Sequence, residues 1–426
     1  MPDMIVKLLK ASGADAWEVT ETRERGWEFY FIRHALDQHR AKRLDGIRVK
    51  VYKAFENGKY LGNASAALAP DVSREEARKV IADLVRDASY VRNPAYTLNP
   101  SDGEAHTQES AVDIREISRD FLETMRSLPE TGTEDINSYE IFVSEVRRRF
   151  LNSEGVDVTA VYPVSQVEAV VNARQEGHEI ELYRLYDCGS CDREQLKRDL
   201  SETLRCGRDR LRTVATPALG KIDAVFSTDA AREIYDWFIS RLSAGMIVRG
   251  VSDWKPGVPV AEDAQGDRIA LETRKFLPNS SENAAFDAEG APVRDLTLIE
   301  NGIVRANFGS RQFSQYLGLE DSFIASNFAV SGGSASAEEL RQGRFLEIVE
   351  FSDFQVDVTN GDLAGEIRLG YLHEDGKVTP VSGGSVSGTM RDFVKTMRFS
   401  REQRQYNTHL IPAVTRLTGV TVTGAE

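Results

Sequence analysis

One stretch near the start of the chain, AWEVTETRERGWEFYFIRHALDQHRAKRLDGIRVKVYKAFENGKYLGNASAAL (16–68), constrains the fold most. Apolar residues recur at every second position in several of its runs, as in strands with one buried face. The interruptions LDG and ENGK predict turns between those strands. The next segment predicts a helix, because Ser73 is followed three residues later by Glu76 and then by an apolar stripe at helical spacing.

Further along, the pattern changes twice. Residues 91–110 are rich in Pro, Asn and Ser and predict a linker, followed by a helix at 111–128, strands within 138–186 and a helix at 192–211. From residue 215 onward Gly, Ser, Asp and β-branched residues predict short strands and turns, with helices at 230–245 and 334–343. We therefore predict an α+β fold, with a two-part α+β N-terminal region (1–100 and 101–214) and a β-rich C-terminal domain (215–426).

Length, charge and apolar content limit the function classes. A chain of 426 residues predicts two or three domains. The net charge of −14 argues against nucleic-acid or anionic-membrane partners. No apolar run approaches the roughly 18–20 residues of a membrane span, and the first residues lack the pattern of a signal peptide. The expectation is a cytoplasmic protein.

Three cysteines, Cys188, Cys191 and Cys206, fall in one segment. Cys188 and Cys191 have the spacing of a redox pair or of half a zinc site. A zinc site needs about four ligands, and only Cys206 and His178 are near in sequence. We interpret the three as free thiols whose role stays open.

The densest cluster of acids lies in EFSDFQVDVTNGDLAGEIRLGYL (350–372), which predicts a hairpin with its turn at TNGD. The order of its acids is not that of a calcium loop. Asp362 is expected to stabilise the turn through bonds to the backbone. If the chain is a hydrolase with its site in this segment, the candidate catalytic residues are Asp353, Asp357, Glu366 and His373.

The same hairpin carries a family resemblance. The sequence GDLAGEIR, preceded by SDFQVDV and followed by DGKVTPVSGGSVSGTM, resembles the C-terminal signature of the TldD/PmbA family, the gyrase-modulator proteins. LDGIRVKVY, FLNSEGVDVT, FDAEGAPVRDLTLIENGIV and SGTMRDFVKTM resemble the family in the same order. The resemblance implies a dimer. In this family, the TldD branch resembles a cytoplasmic metallopeptidase for unfolded or modified peptides. The PmbA/TldE branch lacks the metal ligands and pairs with a TldD subunit.

The resemblance also implies where a metal would bind: a His-Glu-x-x-x-His motif on a central helix, together with a Cys near the C-terminus. AAREIYDWFISRLSAG (230–245) occupies the place of that helix, with Tyr235, Asp236 and Ser240 at the motif positions. The chain has no His between His178 and His373 and no Cys after Cys206. We therefore expect no metal of the family type and no cofactor, and interpret these three positions as vestigial.

The predicted function is that of a PmbA/TldE-like subunit without catalysis, which holds unfolded peptide together with a TldD-like metallopeptidase. The alternatives are a hydrolase with a site of its own and a homodimeric peptide-binding protein. Small residues let another backbone approach a strand. This makes the Gly-Ser stretches around 332–333 and 383–384 candidates for the peptide cleft, through Gly332, Gly333, Gly383 and Gly384.

Overall fold

The computed structural model describes residues 2–110, 113–128, 133–319 and 321–425. Strands predominate over helices in these ranges and form three sheets. None of the helices described there combines the length and the apolarity needed to cross a membrane. The fold is therefore a strand-rich form of the predicted α+β class.

Seven strands of the N-terminal half form one sheet in the order β3-β2-β1-β5-β6-β4, with β7 also on β6. Helices α1 and α2 pack on the part formed by β1–β3, and α3 and α4 on the part formed by β5–β7. The elements of this half are α1 (Pro2–Lys10), β1 (Ala16–Ile32), β2 (Ala35–Phe55), β3 (Tyr60–Leu68), α2 (Arg74–Ala88), β4 (Ala105–Gln108), α3 (Ile114–Arg126), β5 (Glu134–Asn152), β6 (Asp157–Gln175), β7 (His178–Cys188) and α4 (Arg193–Arg210).

This sheet differs from the prediction in three ways. LDG (44–46) lies inside β2, because β1 supplies an unbroken run of pairing partners from residue 38 to residue 52 and the chain turns earlier, at 33–34. ENGK does form a turn, with Glu56 and Asn57 at positive φ. The two predicted N-terminal units share one sheet, since β1 pairs with β5 along 18–32. The predicted linker contributes β4, which pairs in parallel with β6.

The C-terminal half contains a six-stranded and an eight-stranded sheet whose side chains, with those of the helix α5, form the largest apolar core. Its elements are β8 (Val214–Ala215), β9 (Gly220–Phe226), α5 (Ala231–Leu242), α6 (Ala244–Val248), β10 (Leu271–Arg274), β11 (Leu296–Glu300), β12 (Ile303–Val304), α7 (Arg311–Tyr316), β13 (Asn327–Val330), β14 (Phe345–Val356), β15 (Asp362–Glu374), β16 (Lys377–Ser382), β17 (Ser385–Thr389), α8 (Met390–Phe393), β18 (Arg398–Phe399), β19 (Gln403–Tyr406), β20 (His409–Pro412) and β21 (Thr415–Thr423).

Two predicted helices of this half are shorter than expected. The helix at 230–245 breaks at Ser243, whose extended backbone separates α5 from α6. The helix expected at 334–343 is only a 3₁₀ turn at Glu339–Arg341. Ser336 and Glu339 nevertheless form a capping box there, because the Glu339 amide donates to Ser336 Oγ and the Ser336 amide donates to Glu339 Oε2.

Candidate functional site

The inner face of α5 is committed to the core of the C-terminal domain. Tyr235 is fully buried, and its hydroxyl lies 2.7 Å from Thr415 Oγ1. Ile234, Phe238 and Leu242 are buried beside it. A residue held in this way cannot face a ligand. The structure thus places the first of the three vestigial positions inside the core.

The outer face of α5 carries Asp236, whose side chain is 41% exposed. Its Oδ1 lies 2.9 Å from Nε2 of His409, which is buried at the start of β20. The other imidazole nitrogen, Nδ1, lies 2.9 Å from Thr408 Oγ1. Ser240, one turn after Asp236, is half-buried on the same face. The Asp236–His409 pair joins residues 173 positions apart, which no local motif could reveal.

These side chains do not fit the metal that the resemblance implies. A hydrolytic zinc takes about three protein ligands with N, S or O donors. The three motif positions offer a buried phenol, one carboxylate and one hydroxyl, and the single imidazole nearby is bonded to that carboxylate. Throughout the described ranges, no three His, Cys, Asp or Glu side chains are grouped as metal ligands.

A cleft of about 210 Å³ opens beside the first turn of α5, between the two halves of the molecule. The N-terminal half contributes β7 and α4, and the C-terminal half contributes residues 228–232, 278–279 and 404–407. Five consecutive residues of β7, 184–188, line it. Because successive side chains of a strand point to opposite faces, a cleft that touches all five runs along the edge of the strand. That edge has no partner among the described strands, since β7 pairs only with β6.

Charge pairs link the two walls of this cleft. Arg404 of β19 bonds Asp199 of α4 and lies 3.5 Å from Glu202. Burial raises the pKa of the Asp199 carboxyl, although Arg404 opposes that shift. On α5, burial and then the neighbouring Asp236 raise the pKa of Glu233. The contacts of Arg404 with Asp199 and Glu202 therefore hold the two walls together.

The three thiols lie close to the same cleft, and Cys188 and Cys206 line it. Burial raises the pKa of Cys188 and Cys191, and raises that of Cys206 to about 11. A thiol is a nucleophile or a metal ligand only as the thiolate. At neutral pH these groups are protonated, so they behave as small apolar side chains of the wall.

The acids of the C-terminal hairpin are not brought together. Asp353, Asp357 and Glu366 are exposed. His373 is seven residues beyond Glu366 on β15, which at about 3.3 Å per residue separates them by roughly 23 Å. His373 instead stacks on Phe345, with ring centroids 4.1 Å apart. The four candidate catalytic residues therefore do not form one site in this structure.

The turn of this hairpin is stabilised by a different acid from the one predicted. Asp357 Oδ1 accepts hydrogen bonds from the Thr359 and Asn360 amides at 2.7 and 3.3 Å. Asp362 participates through its backbone amide, which donates to Asn360 Oδ1. The prediction for Asp362 was wrong because the carboxylate before the turn, and not the one after it, faces the free amides.

The four candidate cleft glycines contact the chain's own backbone. A Cβ on Gly332 would lie 2.4 Å from the Arg401 carbonyl oxygen, and one on Gly333 would lie 2.1 Å from that of Phe399. Gly383 donates its amide to the Ile367 carbonyl, and a Cβ on Gly384 would lie 2.2 Å from the Thr423 oxygen. The predicted close backbone approach exists, but internal segments of this chain supply it, so these stretches do not offer a free edge.

Comparison with known proteins agrees with this architecture. Residues 219–424 match the family described as PmbA/TldA metallopeptidase C-terminal domain. A metalloprotease of Methanothermobacter thermautotrophicus is 26% identical over 275 residues, 58% of this chain and 58% of that protein. A metalloprotease PmbA homologue of Haemophilus influenzae is 23% identical over 184 residues, 42% and 40% of the two chains. The C-terminal half of the chain is thus similar to the TldD/PmbA family.

The matched spans cover only 58% and 40% of those two relatives. Solved structures of TldD/PmbA type resemble nearly the whole chain. TldE from Thermococcus kodakarensis has a TM-score of 0.78 at 16% identity and covers 99% of this chain and 100% of its own. A modulator of DNA gyrase from Bacteroides thetaiotaomicron has a TM-score of 0.79 at 17% identity, with 99% and 98% covered. At such identities the likeness establishes the fold, and the predicted family resemblance is confirmed.

Proposed function

We propose that this chain is a TldE-like subunit that holds extended peptide and leaves cleavage to a TldD-like metallopeptidase in the cytoplasm. One observation carries the proposal: the motif positions of α5 hold a core tyrosine, an aspartate bonded to His409, and a serine. Asp236 and His409 already satisfy each other, so metal binding would first have to break their contact. The helix is suited to support a cleft wall.

The cleft beside α5 suits an extended peptide. The free edge of β7 can pair with the backbone of an added strand, which provides affinity for many sequences. Leu185 lines the cleft and is 40% exposed. It can therefore make an apolar contact with every second side chain of a bound peptide. The edge is fixed at its end because Gly189 and Ser190 donate their amides to the carbonyl and side chain of Asn279. Such a preformed edge reduces the entropy cost of binding.

Two measurements test whether this chain binds the peptide and a TldD-type subunit cleaves it. The chain alone should bind a fluorescein-labelled unfolded peptide without cleaving it, and should copurify without stoichiometric zinc. Adding a TldD-type subunit should produce cleavage. If the chain alone holds about one zinc per molecule, and Asp236→Ala or His409→Ala removes it while Asp357→Ala does not, the chain is itself a metallopeptidase and the proposal fails.

A matched pair of variants tests the cleft. Leu185→Ser should weaken peptide binding about tenfold through loss of apolar contact area. Tyr183→Ser is the control, because Tyr183 lies two residues away on the same strand and is 54% exposed but does not line the cleft. Equal affinity in both variants would place the peptide elsewhere.

Hydrolysis by the chain itself is the second candidate, and one contact favours it. His409 lies within hydrogen-bonding distance of both Thr408 Oγ1 and Asp236 Oδ1, an order of hydroxyl, imidazole and carboxylate that can activate a nucleophile. This candidate predicts slow, metal-independent cleavage by the chain alone that Thr408→Ala abolishes and EDTA does not affect. Absence of cleavage at high enzyme concentration would exclude it.

A further inference from the structure

Among the described residues, Arg210 at the end of α4 is a cation without a counter-ion. Its side chain is half-buried, and in the same ranges its Nε is shielded from solvent without a hydrogen-bond partner. The carboxylate next to it in sequence, Asp209, is bonded to the Tyr371 hydroxyl at 2.7 Å. Burial lowers the pKa of Arg210, and the nearby Arg368 and Arg184 lower it further. An unpaired and partly desolvated guanidinium costs free energy unless an anion joins it.

The two neighbouring arginines already have carboxylates of their own. Arg184 of β7 donates from Nη1 to Glu350 Oε2 at 3.0 Å. Arg368 of β15 lies 3.9 Å from Glu366. These two residues and Arg210 form an arginine cluster where α4 packs against β7 and β15. The cluster holds three positive charges against two carboxylates, in a chain whose net charge is −14. This local excess of positive charge favours an anion.

The arginine cluster lies at one end of the cleft. Arg184 is the first of the five consecutive β7 residues that line the cleft. Tyr186 Oη lies 3.0 Å from Thr203 Oγ1 of α4, and a Cβ on Gly207 would lie 3.7 Å from Leu182 Cδ1. As α4 advances it therefore runs toward the start of β7, so the two elements are antiparallel. The last residue of α4 lies at the Arg184 end of the cleft.

We infer that the arginine cluster binds the C-terminal carboxylate of a peptide that lies along the free edge of β7. The inference rests on the proposed function, because it assumes that the cleft holds an extended peptide. Such a peptide runs antiparallel to β7, with its last residue beside Arg184 and its terminal carboxylate on the guanidinium of Arg210. A guanidinium presents paired N–H donors in a fixed fork that matches the two oxygens of a carboxylate.

The terminal carboxylate fits this position better than an acidic side chain does. In an added strand the side chains point alternately to the two faces of the sheet. The terminal carboxylate instead continues the line of the backbone past the end of the cleft. The net charge of −14 repels anions at long range. A preference for the carboxylate would therefore come from a local contact and not from the overall charge.

Two unfolded peptides of identical sequence, labelled with fluorescein at the N-terminus, test this contact. One ends in a carboxylate and the other in an amide, and the wild-type chain should bind the carboxylate form about tenfold more tightly. Arg210→Gln should remove this preference. Arg210→Lys keeps the charge but not the fork and should retain only part of it. Arg198→Gln is the matched control and should keep the preference, because Arg198 is an exposed arginine of the same helix that donates to Gln195.

The ratio of the two affinities separates this contact from a structural role of Arg210. A merely structural role would weaken both peptides alike and leave the ratio unchanged, as Leu185→Ser should. Equal affinity of the wild type for both peptides, or a preference that survives Arg210→Gln, would overturn the inference and leave the cleft proposal intact. So would tight binding of an amidated peptide with one internal Asp, since the cluster would then bind side chains. Binding of neither peptide would refute the cleft proposal and this inference with it.

Discussion

Two regions of the C-terminal half contain candidate site carboxylates, the hairpin of β14 and β15 and the helix α5, and only α5 brings such a candidate within hydrogen-bonding distance of an imidazole. The hairpin candidates Asp353, Asp357 and Glu366 are close in sequence, yet all three are exposed. The buried acids of β14, Glu347 and Glu350, are paired with arginines instead. The outer face of α5 has few, but Asp236 meets a buried imidazole from β20. In the hairpin, successive side chains point to opposite faces of the strand and each residue advances along it, so acids that are close in sequence lie apart in space. At α5, tertiary packing brings distant residues together. Density in sequence is therefore a poor guide to a site, and topology decides.

The largest expected effect on stability concerns the loop between β16 and β17, which contains Gly384. Gly384→Ala should lower the free energy of unfolding by about 3 kcal/mol or more, because its φ is +72° and its new Cβ would lie 2.2 Å from the Thr423 oxygen. Gly376→Ala is the control, with φ +74° and open space around it, and should cost only about 1 kcal/mol. Urea unfolding measures both. Equal losses would show that the loop is open enough to receive a peptide.

The next effect concerns the buried carboxylate of the hairpin, Glu347. Its oxygens accept hydrogen bonds from Arg341 and from Ser227. Burial alone would raise the pKa of Glu347, but Arg341, Ser227 and His373 together outweigh it, and the pKa lies below its usual value. Glu347→Gln should cost about 2 kcal/mol at pH 7. The exposed Glu366→Gln, 3.9 Å from Arg368, should change stability by less than about 0.5 kcal/mol.

The lowered pKa of Glu347 fixes the pH dependence of that difference. A carboxylate with a lowered pKa in the folded state stabilises the protein above its unfolded pKa, and this stabilisation is lost as the pH falls. The gap between wild type and Glu347→Gln should therefore be full at neutral pH and shrink below about pH 4. A gap that is undiminished at pH 3 would mean that the charge of Glu347 contributes nothing.

A smaller effect tests the comparison directly by a double-mutant cycle. Asp236→Asn and His409→Gln should be coupled by about 1 kcal/mol, because each removes one partner of the same 2.9 Å contact. The matched hairpin pair, Asp353→Asn with His373→Gln, should show no coupling, since those residues lie at different positions along β14 and β15. Coupling in the hairpin pair would reinstate it as a site.

The sequence predicts the elements that local interactions determine, but not the contacts that tertiary packing creates. The period-two stretches, the N-cap at Ser73 and the helix at 192–211 were predictable because local hydrogen bonds and burial patterns determine them. The prediction of a turn at LDG was wrong, because pairing with the neighbouring strand β1 outweighs the local preference for a turn. The contact of His409 with Asp236 was not predictable, since it forms only when β20 packs beside α5. The cleft along β7 depends on two halves meeting, which a linear pattern does not encode.

The smallest effect is at the hairpin turn and distinguishes its two acids. Asp357→Ala should lower Tm by about 1 °C, because its carboxylate caps the Thr359 and Asn360 amides of an exposed turn. Asp362→Ala should leave Tm unchanged, as Asp362 takes part only through its backbone amide and carbonyl. The Thr359 and Asn360 amides lower the pKa of Asp357, so its contribution is present at neutral pH and fades as the pH falls toward its folded pKa. If Asp362→Ala lowers Tm more than Asp357→Ala does, or if either variant removes peptide binding, the acids of the hairpin do more than stabilise its turn, and its contrast with α5 fails.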